Sequence, residues 1–261
     1  MTNTYTNLQL DIVGHSAVVT IANPPANTWT RAGLADLTRL VGDLNANRNI
    51  YSLIVTGEGQ KFFSAGADVN AFADGDKAMA REMARRFGEA FEALSQFCGV
   101  SIAAINGYAM GGGLECALAC DIRIAEEQAQ MALPEASIGL LPCAGGTQNL
   151  PWLVGEGWAK RMILCGERVN AETALRIGLV EEVVPKGTAK QHALLLAQKI
   201  EKQSPSSVSA CKKLIQGARQ NPLTQLLPVE RELFVDLFDT QDQKEGVNAF
   251  LEKRAAEWKN A

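Results

Sequence analysis

The sequence predicts an α/β core followed by a helical C-terminal extension. Strand-like segments come in pairs between amphipathic helices over the first part of the chain, and helical periodicity dominates beyond Leu150. The 261 residues are 47% hydrophobic and 21% charged, which suits one domain, or one domain with an extension, around a full core. We place the core at residues 1–195 and the helical region at residues 196–261. Paired strands do not fit a strict alternation of one strand with one helix.

The elements follow in order from apolar spacing and from turn residues. Leu8–Val13 and Ala17–Ala22 flank a Gly-His-Ser turn and predict a hairpin. Next come a helix over 30–45, a strand over 51–56, a glycine-rich segment over 57–68, a helix over 77–97, a strand over 101–105, a glycine run leading into a helix to about Cys120, and a strand over 121–125. They are followed by an extended piece over 131–135, a loop over 140–147, a helix over 171–177 stopped by Gly178, and helices over 191–203, 205–216, 223–238 and 244–258.

Composition excludes several classes of protein. A formal charge of −4 and a pI near 5.4 argue against general binding to nucleic acids or membrane surfaces. Six scattered cysteines and two histidines are a poor inventory for zinc or disulfides, so we expect reduced thiols and no metal site. The first seven residues lack the features of a secretory signal, and no apolar run approaches the roughly 18 residues of a membrane span. A cytoplasmic location is expected.

The segment from Ile105 to Glu115 is the most informative in the chain. An apolar strand ends at Gly107, and the run Gly111-Gly112-Gly113 then precedes a helix. Three consecutive glycines cost backbone entropy, so something must approach that backbone closely or bend it sharply. The spacing fits neither a dinucleotide-binding fingerprint nor a phosphate loop, and the sequence contains no Gly-x-Ser-x-Gly elbow. The segment therefore predicts a strand, a tight passage and a helix N-terminus with unpaired N–H donors.

Two carboxylates are candidates for acid–base chemistry. Glu115 and Glu135 are separated by a helix, a strand and a short return, which would bring both to the same end of a sheet. Two carboxylates that face one cavity can split their pKa values, leaving one as a base and the other as a protonated acid. The alternatives are a surface group stabilised by the helix dipole for Glu115 and a solvent-facing turn residue for Glu135.

A pair of backbone donors is also plausible. Small residues in the segment Ser64–Asp68 would let an N–H point at a ligand, as would Gly112 at the start of a helix. Two such donors form an oxyanion hole, where removing one typically costs about 10²–10³ in rate. The alternative for the segment is a plain entry into a helix that Asp68 caps.

Several motifs in the correct order resemble the enoyl-CoA hydratase (crotonase) family, from about residue 7 to the C-terminus. They are Phe63-Ser64-Ala65-Gly66-Ala67-Asp68, Ala104-Ile105-Asn106-Gly107, Gly111-Gly112-Gly113-Leu114-Glu115, Cys120-Asp121, Pro134-Glu135, Pro142 with Ala144-Gly145-Gly146-Thr147-Gln148, Ala174 with Gly178-Leu179-Val180, and Gly246 to Arg254. The resemblance implies a spiral of ββα units. It also implies a C-terminal helical region that builds homotrimers, commonly paired as dimers of trimers.

The resemblance also implies a site and a substrate. The substrate is an acyl-CoA thioester whose oxygen is held by the N–H groups of Ala65 and Gly112, and no cofactor is needed beyond the coenzyme A of the substrate. In hydratases of the family, carboxylates matching Glu115 and Glu135 both bind the water that is added across the 2,3 double bond of an enoyl-CoA. The expected function is therefore an enoyl-CoA hydratase that forms 3-hydroxyacyl-CoA, as in β-oxidation of fatty acids, with Glu115 as the base on water and Glu135 delivering the proton to C2. The residues expected to contact substrate or CoA are Ala26, Lys61, Ala65, Gly66, Ala67, Asp68, Gly111 and Gly112.

Other functions remain open at this stage. A Δ3,Δ2-enoyl-CoA isomerase or another acyl-CoA lyase of the same family is the main alternative, and a non-catalytic acyl-CoA-binding protein is the second. Two departures from the family pattern are Cys143, where a glycine is common, and Asn23–Trp29, which lacks an expected basic CoA contact. Lys61, Lys253, Arg254 and Lys259 are candidates to meet the CoA phosphates instead. Candidates for the acyl pocket are Val69, Phe72, Met83 and Leu140.

Overall fold

The strands of the protein divide between two sheets. The computed structural model describes residues 4–73 and 75–261. In chain order the strands are β1 (Leu8–Val13), β2 (Ser16–Ile21), β3 (Ser52–Gly57), β4 (Phe62–Ser64), β5 (Val100–Ile105), β6 (Tyr108–Met110), β7 (Ile122–Glu126), β8 (Gln130–Ala132), β9 (Val169–Asn170) and β10 (Glu182–Val184). One sheet has the order β1-β2-β3-β5-β7-β10 and the other β4-β6-β8-β9. Each consecutive pair from β3 to β8 therefore places one strand in each sheet.

Nine helices are present in the described residues. They are α1 (Arg31–Ala46), α2 (Lys77–Ser95), α3 (Gly112–Ala119), α4 (Gly146–Leu164), α5 (Ala171–Arg176), α6 (Ala189–Ile200), α7 (Pro205–Gly217), α8 (Leu223–Asp236) and α9 (Gln241–Glu252). Short 3₁₀ turns cover Val69–Phe72, Glu135–Ile138 and Leu237–Asp239. Within the part of the chain that the structure describes, no helix is long and apolar enough to cross a membrane.

The predicted helical stripes form the main core. Thr30 caps α1 by accepting a hydrogen bond from Gly33 N–H, and the stripe from Leu34 to Leu44 is buried. Helix α2 buries Phe87 and Phe91 among its apolar residues, and α1 and α2 pack against each other. Both helices contribute to one hydrophobic cluster that also includes residues of β2, β3 and β5.

The other face of the six-stranded sheet is covered by α6. Ala189, Ala193 and Ala197 lie one turn apart and pack against Val18 and Ile54 in a second, smaller cluster. Small side chains at this spacing let the helix approach the sheet closely. Residues 195 and 196, between which the sequence prediction divides the chain, both lie inside α6.

Two details differ from the sequence prediction. The strand β6 lies within the predicted glycine passage, and β4 lies within the predicted glycine-rich segment; strands of three residues are too short to produce a visible alternation. The last helix ends at Glu252 rather than near Trp258, because Lys253 adopts a left-handed conformation with φ of 57°. The tail then folds back, and Asp242 Oδ1 accepts hydrogen bonds from the N–H groups of Lys259 and Asn260.

Candidate active site

Glu115 and Glu135 line one cavity of about 170 Å³. Strand β6 leads directly into α3, which carries Glu115, and its neighbour β8 leads to the turn that begins at Glu135. Because β6 and β8 are adjacent and parallel, their carboxyl ends deliver both side chains to the same place. The structure therefore brings together the two carboxylates that the sequence predicts as a pair.

Glu115 is held by backbone donors. Its side chain is buried, and Oε1 accepts hydrogen bonds from the N–H groups of Ala144 at 2.8 Å and Gly146 at 2.9 Å. Burial raises the pKa of Glu115, and the two N–H donors oppose that rise. The alternative of a surface acid is wrong, because every residue of α3 is buried.

Glu135 is in a different environment. It follows Pro134 at the start of a 3₁₀ turn and is half-buried, and its Oε2 has no hydrogen-bond partner within the described residues. Burial raises the pKa of Glu135 to about 7, and the charge of Glu115 contributes to the increase. Gly111 has φ of 52°, which favours glycine, and a Cβ atom there would lie 3.0 Å from Glu135 Oε1. One carboxylate is thus held by two backbone donors, whereas one oxygen of the other has no partner among the described residues.

Two glycine segments approach each other closely at the cavity. Gly66 has φ of 89°, and a Cβ atom added there would lie 2.6 Å from Met110 O and 3.0 Å from Gly112 N. Gly112 is the first residue of α3, so its N–H has no acceptor within the helix. The glycines therefore serve close approach of two backbones, as the glycine run predicts.

The prediction that Ala65 supplies the second N–H needs correction. The Ala65 N–H donates to Ala26 O at 2.9 Å and is not free for a ligand. Trp29 and Ala67 form a parallel β-bridge in which Trp29 N–H donates to Gly66 O at 2.8 Å and Asp68 N–H donates to Trp29 O at 3.4 Å. These bonds flank Ala67, whose own N–H therefore points away from Trp29. Ala67 lines the cavity, so its N–H replaces that of Ala65 as the candidate donor.

Several of the residues predicted to contact CoA have partners within the protein. Asp68 caps the following 3₁₀ turn by accepting from Asn70 N–H, which is the structural alternative for this residue. Lys61 Nζ lies 5.2 Å from the centre of the Phe62 ring. Arg254 forms ion pairs with Glu245 and Glu252 and is thus already neutralised. Binding of CoA by Lys61, Ala26 and the other residues named from the resemblance stays a prediction.

The remaining wall of the cavity is apolar. Val69, Phe72 and Leu140 line it as predicted, whereas Met83 is buried in the core. Phe87, one turn further along α2, lines the cavity instead, and a Cβ atom at Gly112 would lie 2.8 Å from its Cε1. The other apolar lining residues that the sequence did not identify are Met110, Ile138 and Leu141.

Cys143 also lines this cavity. Burial raises the pKa of its thiol to about 11, and the charges of Glu115 and Glu135 add to the increase. The departure from the family pattern at this position therefore lies at the candidate site itself, beside both carboxylates.

Comparisons with known proteins identify the family. Residues 13–261 match the family model described as enoyl-CoA hydratase/isomerase. The short-chain-enoyl-CoA hydratase of Clostridium acetobutylicum is 37% identical over 252 residues, which cover 96% of this chain and 97% of that protein. The 2,3-dehydroadipyl-CoA hydratase of Escherichia coli is 38% identical over 245 residues, which cover 93% of this chain and 94% of that protein.

Solved structures of similar sequence share the fold of this chain. Pseudomonas aeruginosa DspI is 69% identical with a TM-score of 0.96, and the match covers 99% of both chains. The enoyl-CoA hydratase of Bacillus anthracis is 36% identical with a TM-score of 0.94, covering 98% of this chain and 100% of that one. The fold is thus the crotonase-like spiral of ββα units, as the resemblance implied. The chain belongs to the enoyl-CoA hydratase/isomerase family and is an enzyme of the enoyl-CoA hydratase type.

Proposed function

We propose that this enzyme adds water across the 2,3 double bond of an enoyl-CoA thioester to give a 3-hydroxyacyl-CoA. The observation that carries this proposal is the pair of carboxylates in one cavity: Glu115 accepts two backbone N–H bonds, whereas Glu135 Oε2 has no hydrogen-bond partner in the described part of the chain. Two carboxylates with different surroundings can divide the roles of base and acid at neutral pH.

The thioester oxygen would bind between the N–H groups of Ala67 and Gly112. As water attacks C3, electrons of the double bond move toward the carbonyl and negative charge builds on that oxygen. Two fixed donors stabilise this charge more than they stabilise the neutral ground state, and removing one such donor typically costs about 10²–10³ in rate. The hole therefore makes C3 electrophilic and supports the enolate until C2 is protonated.

Proton transfer would be divided between the two carboxylates. Glu115 takes a proton from water as its oxygen bonds to C3, and Glu135 gives a proton to C2, so the pair ends with the proton on Glu115. A pKa of about 7 keeps a large share of Glu135 protonated near neutral pH, as an acid requires. Glu115 Oε1 is held by two N–H groups, which leaves Oε2 to contact the water.

Isomerisation of a 3-enoyl-CoA is the second candidate, because one carboxylate can carry a proton from C2 to C4 without water. The presence of two carboxylates in the cavity favours hydration over this alternative. The relatives from C. acetobutylicum and E. coli, both named as hydratases, also support hydration. Retention of both carboxylates also weighs against a protein that only binds acyl-CoA.

Hydration rates across a panel of 2-enoyl-CoAs test the proposal. The panel contains crotonyl-CoA, longer straight chains, an aryl substrate and a hydroxylated substrate, and loss of the enoyl thioester absorbance reports turnover. We expect hydration of at least one member and slower conversion of 3-enoyl-CoA to 2-enoyl-CoA. Faster isomerisation than hydration, or binding without turnover across the panel, would overturn the proposal.

The assembly and the pathway are part of the same proposal. Apolar side chains are exposed along α8, the turn after it and α9; they include Leu223, Phe234, Val235, Phe238, Phe250 and Leu251. Exposed apolar patches of this kind mark contact surfaces, and we propose that copies of the chain cover them as a trimer or a dimer of trimers. Light scattering of the purified protein measures this directly. Fatty-acid β-oxidation and a cytoplasmic location stay predictions of the sequence.

A further inference from the structure

The segment Asn23–Trp29, which we call the strap, has no role in the proposed chemistry but contacts the loop that carries Ala67. Ala26 O accepts the N–H of Ala65, and Trp29 bonds to both neighbours of Ala67. The strap is also the stretch where this chain departs from the family pattern. Its contacts therefore bear on the candidate oxyanion hole.

A continuous chain of hydrogen bonds runs through the strap to Ala67. Asn23 Nδ2 donates to Thr28 O at 2.8 Å. The Thr28 carbonyl and the Trp29 N–H belong to one planar trans peptide, so they point in opposite directions, and the Trp29 N–H donates to Gly66 O at 2.8 Å. The Gly66 carbonyl and the Ala67 N–H form the next peptide, and the chain ends at that N–H.

This chain fixes two properties of the Ala67 donor. Direction is fixed because the bond from Trp29 to Gly66 O sets the plane of the Gly66–Ala67 peptide and thereby aims the Ala67 N–H. The strength of the Ala67 N–H as a donor is increased because hydrogen bonds in series polarise one another, by about 10–30% per bond. An amide whose carbonyl already accepts a hydrogen bond is a better donor to a thioester oxygen.

Asn27 anchors the strap to the rest of the loop. Its side chain is buried, and Nδ2 donates to Glu58 O at 3.0 Å and to Phe62 O at 2.9 Å, on either side of the turn before β4. Its φ of 52° lies in the left-handed region, which asparagine tolerates better than most residues. The Asn27 Oδ1 also accepts the Asn23 N–H at 3.3 Å, so the two asparagines support each other.

We propose that Asn23 and Asn27 are positioning residues that aim and polarise the Ala67 N–H through the strap. The inference rests on the proposed function, because it assigns Ala67 to the thioester oxygen. A donor that is strengthened for the developing enolate acts mainly in the transition state, so the strap contributes to kcat more than to KM.

The variant Asn23→Asp tests this most sharply. Aspartate keeps the size of the side chain and can still accept the Asn7 Nδ2–H, but it cannot donate to Thr28 O. The readout besides turnover is the absorption band of bound 4-dimethylaminocinnamoyl-CoA, which moves to longer wavelength as the thioester carbonyl is polarised. We expect a smaller red shift than in the wild type and a kcat lower by about 10-fold or more, with KM within about threefold.

Two further variants complete the test. Asn27→Gly suits the left-handed conformation but removes both hydrogen bonds that Nδ2 donates. We again expect a smaller red shift and a lower kcat than in the wild type. Ser52→Ala is the stability control, because it removes a buried hydrogen bond to Ser16 in the six-stranded sheet. We expect this control to lower Tm while the red shift stays at the wild-type value.

The outcomes separate this inference from the proposed function. If both asparagine variants shift the probe as far as the wild type does, the role of the strap is overturned. It is also overturned if Ser52→Ala loses as much of the red shift as the asparagine variants do. A wild-type protein that binds the probe without a red shift overturns the oxyanion hole and the strap together. A wild-type protein that shifts the probe but hydrates no enoyl-CoA overturns hydration alone, and the asparagine variants still decide the role of the strap.

Discussion

Glu115 Oε1 accepts the N–H of Gly146 at a distance of 2.9 Å, which ties the candidate base on α3 to the first residue of α4. The same oxygen accepts the N–H of Ala144, so the loop before α4 is built around this carboxylate. Gly145 reaches the required conformation with φ of 96°, which favours glycine. The position of the base therefore depends on backbone groups that lie far from it in the sequence.

The variant Gly146→Ala tests this dependence. The added Cβ would lie 2.9 Å from Glu115 Oε1 and 2.8 Å from Pro142 Cβ, so the carboxylate or the loop must move. We expect kcat for hydration to fall about 100-fold, because misplacement by about 1 Å has this effect on a positioned group. Gly157→Ala, beyond the kink of α4 at Gly155, is the control, because a Cβ there meets nothing within 4 Å. Equal activity of the two variants would show that Gly146 does not position the base.

The raised pKa of Glu135 predicts a pH-dependent effect on stability. A carboxyl group with a folded pKa of about 7 and an ordinary value of 4.5 binds its proton more tightly in the folded protein. Ionisation of Glu135 therefore lowers the free energy of unfolding. This effect is absent below about pH 4.5, grows as the pH rises toward 7 and reaches its full size above that value. Glu135→Gln should raise the free energy of unfolding at alkaline pH by on the order of 1–2 kcal/mol, after allowance for solvent screening of a half-buried group.

Urea denaturation at acid and alkaline pH measures this effect. We expect the variant and the wild type to unfold at the same urea concentration near pH 4, since both side chains are then neutral. A difference that is as large at acid pH as at alkaline pH would point to packing of the glutamine and would contradict the pKa assigned to Glu135.

The carboxylate pair also predicts the pH profile of turnover. Hydration needs Glu115 ionised and Glu135 protonated, so kcat/KM should fall as the pH rises through about 7 and again at acid pH as Glu115 gains a proton. Dehydration of the 3-hydroxyacyl-CoA needs the reverse state, with Glu115 protonated and Glu135 ionised. Because both directions use a pair that carries one proton, the two profiles should coincide. Rates that stay level between about pH 6 and pH 9 would contradict this division of roles.

Cys143 should be a slow nucleophile although its residue is exposed. Burial of the thiol and the two nearby carboxylates raise its pKa to about 11, so little thiolate is present at neutral pH. Mass spectrometry after treatment with iodoacetamide should find Cys143 alkylated more slowly than exposed Cys165. Glu135→Gln should speed the reaction at Cys143 by removing one charge, and an unchanged rate would argue that the Glu135 carboxylate does not act on the thiol.

The proximity of Glu115 and Glu135 was predictable from the sequence because the intervening elements are regular. One helix and one strand separate Glu115 from Glu135, and regular elements of that length return a chain to the same end of a sheet. The stripes of α1 and α2 were predictable for the same reason, since their apolar residues recur at helical spacing and face one core.

The donor on the other side of the cavity was not predictable in this way. Whether Ala65 or Ala67 offers its N–H depends on a bridge from Ala67 to Trp29, a long-range pairing that leaves no periodic signal in the sequence. Met83 and Phe87 pose a similar problem, since they lie one turn apart on the same face of α2. Which of them reaches the cavity depends on how the helix packs against α3, and tertiary contacts decide that.

The central claim is that Glu115 and Glu135 act together in one hydration step, Glu115 as the base on water and Glu135 as the acid for C2. Hydration by Glu115→Gln, Glu135→Gln and the double variant tests it most directly, with folding of each checked by circular dichroism. We expect each single variant to lose about 10³-fold or more in kcat and the double variant to lose little beyond that, because groups that act as a unit are strongly non-additive. A folded single variant that hydrates enoyl-CoA within about 10-fold of the wild type would contradict the claim.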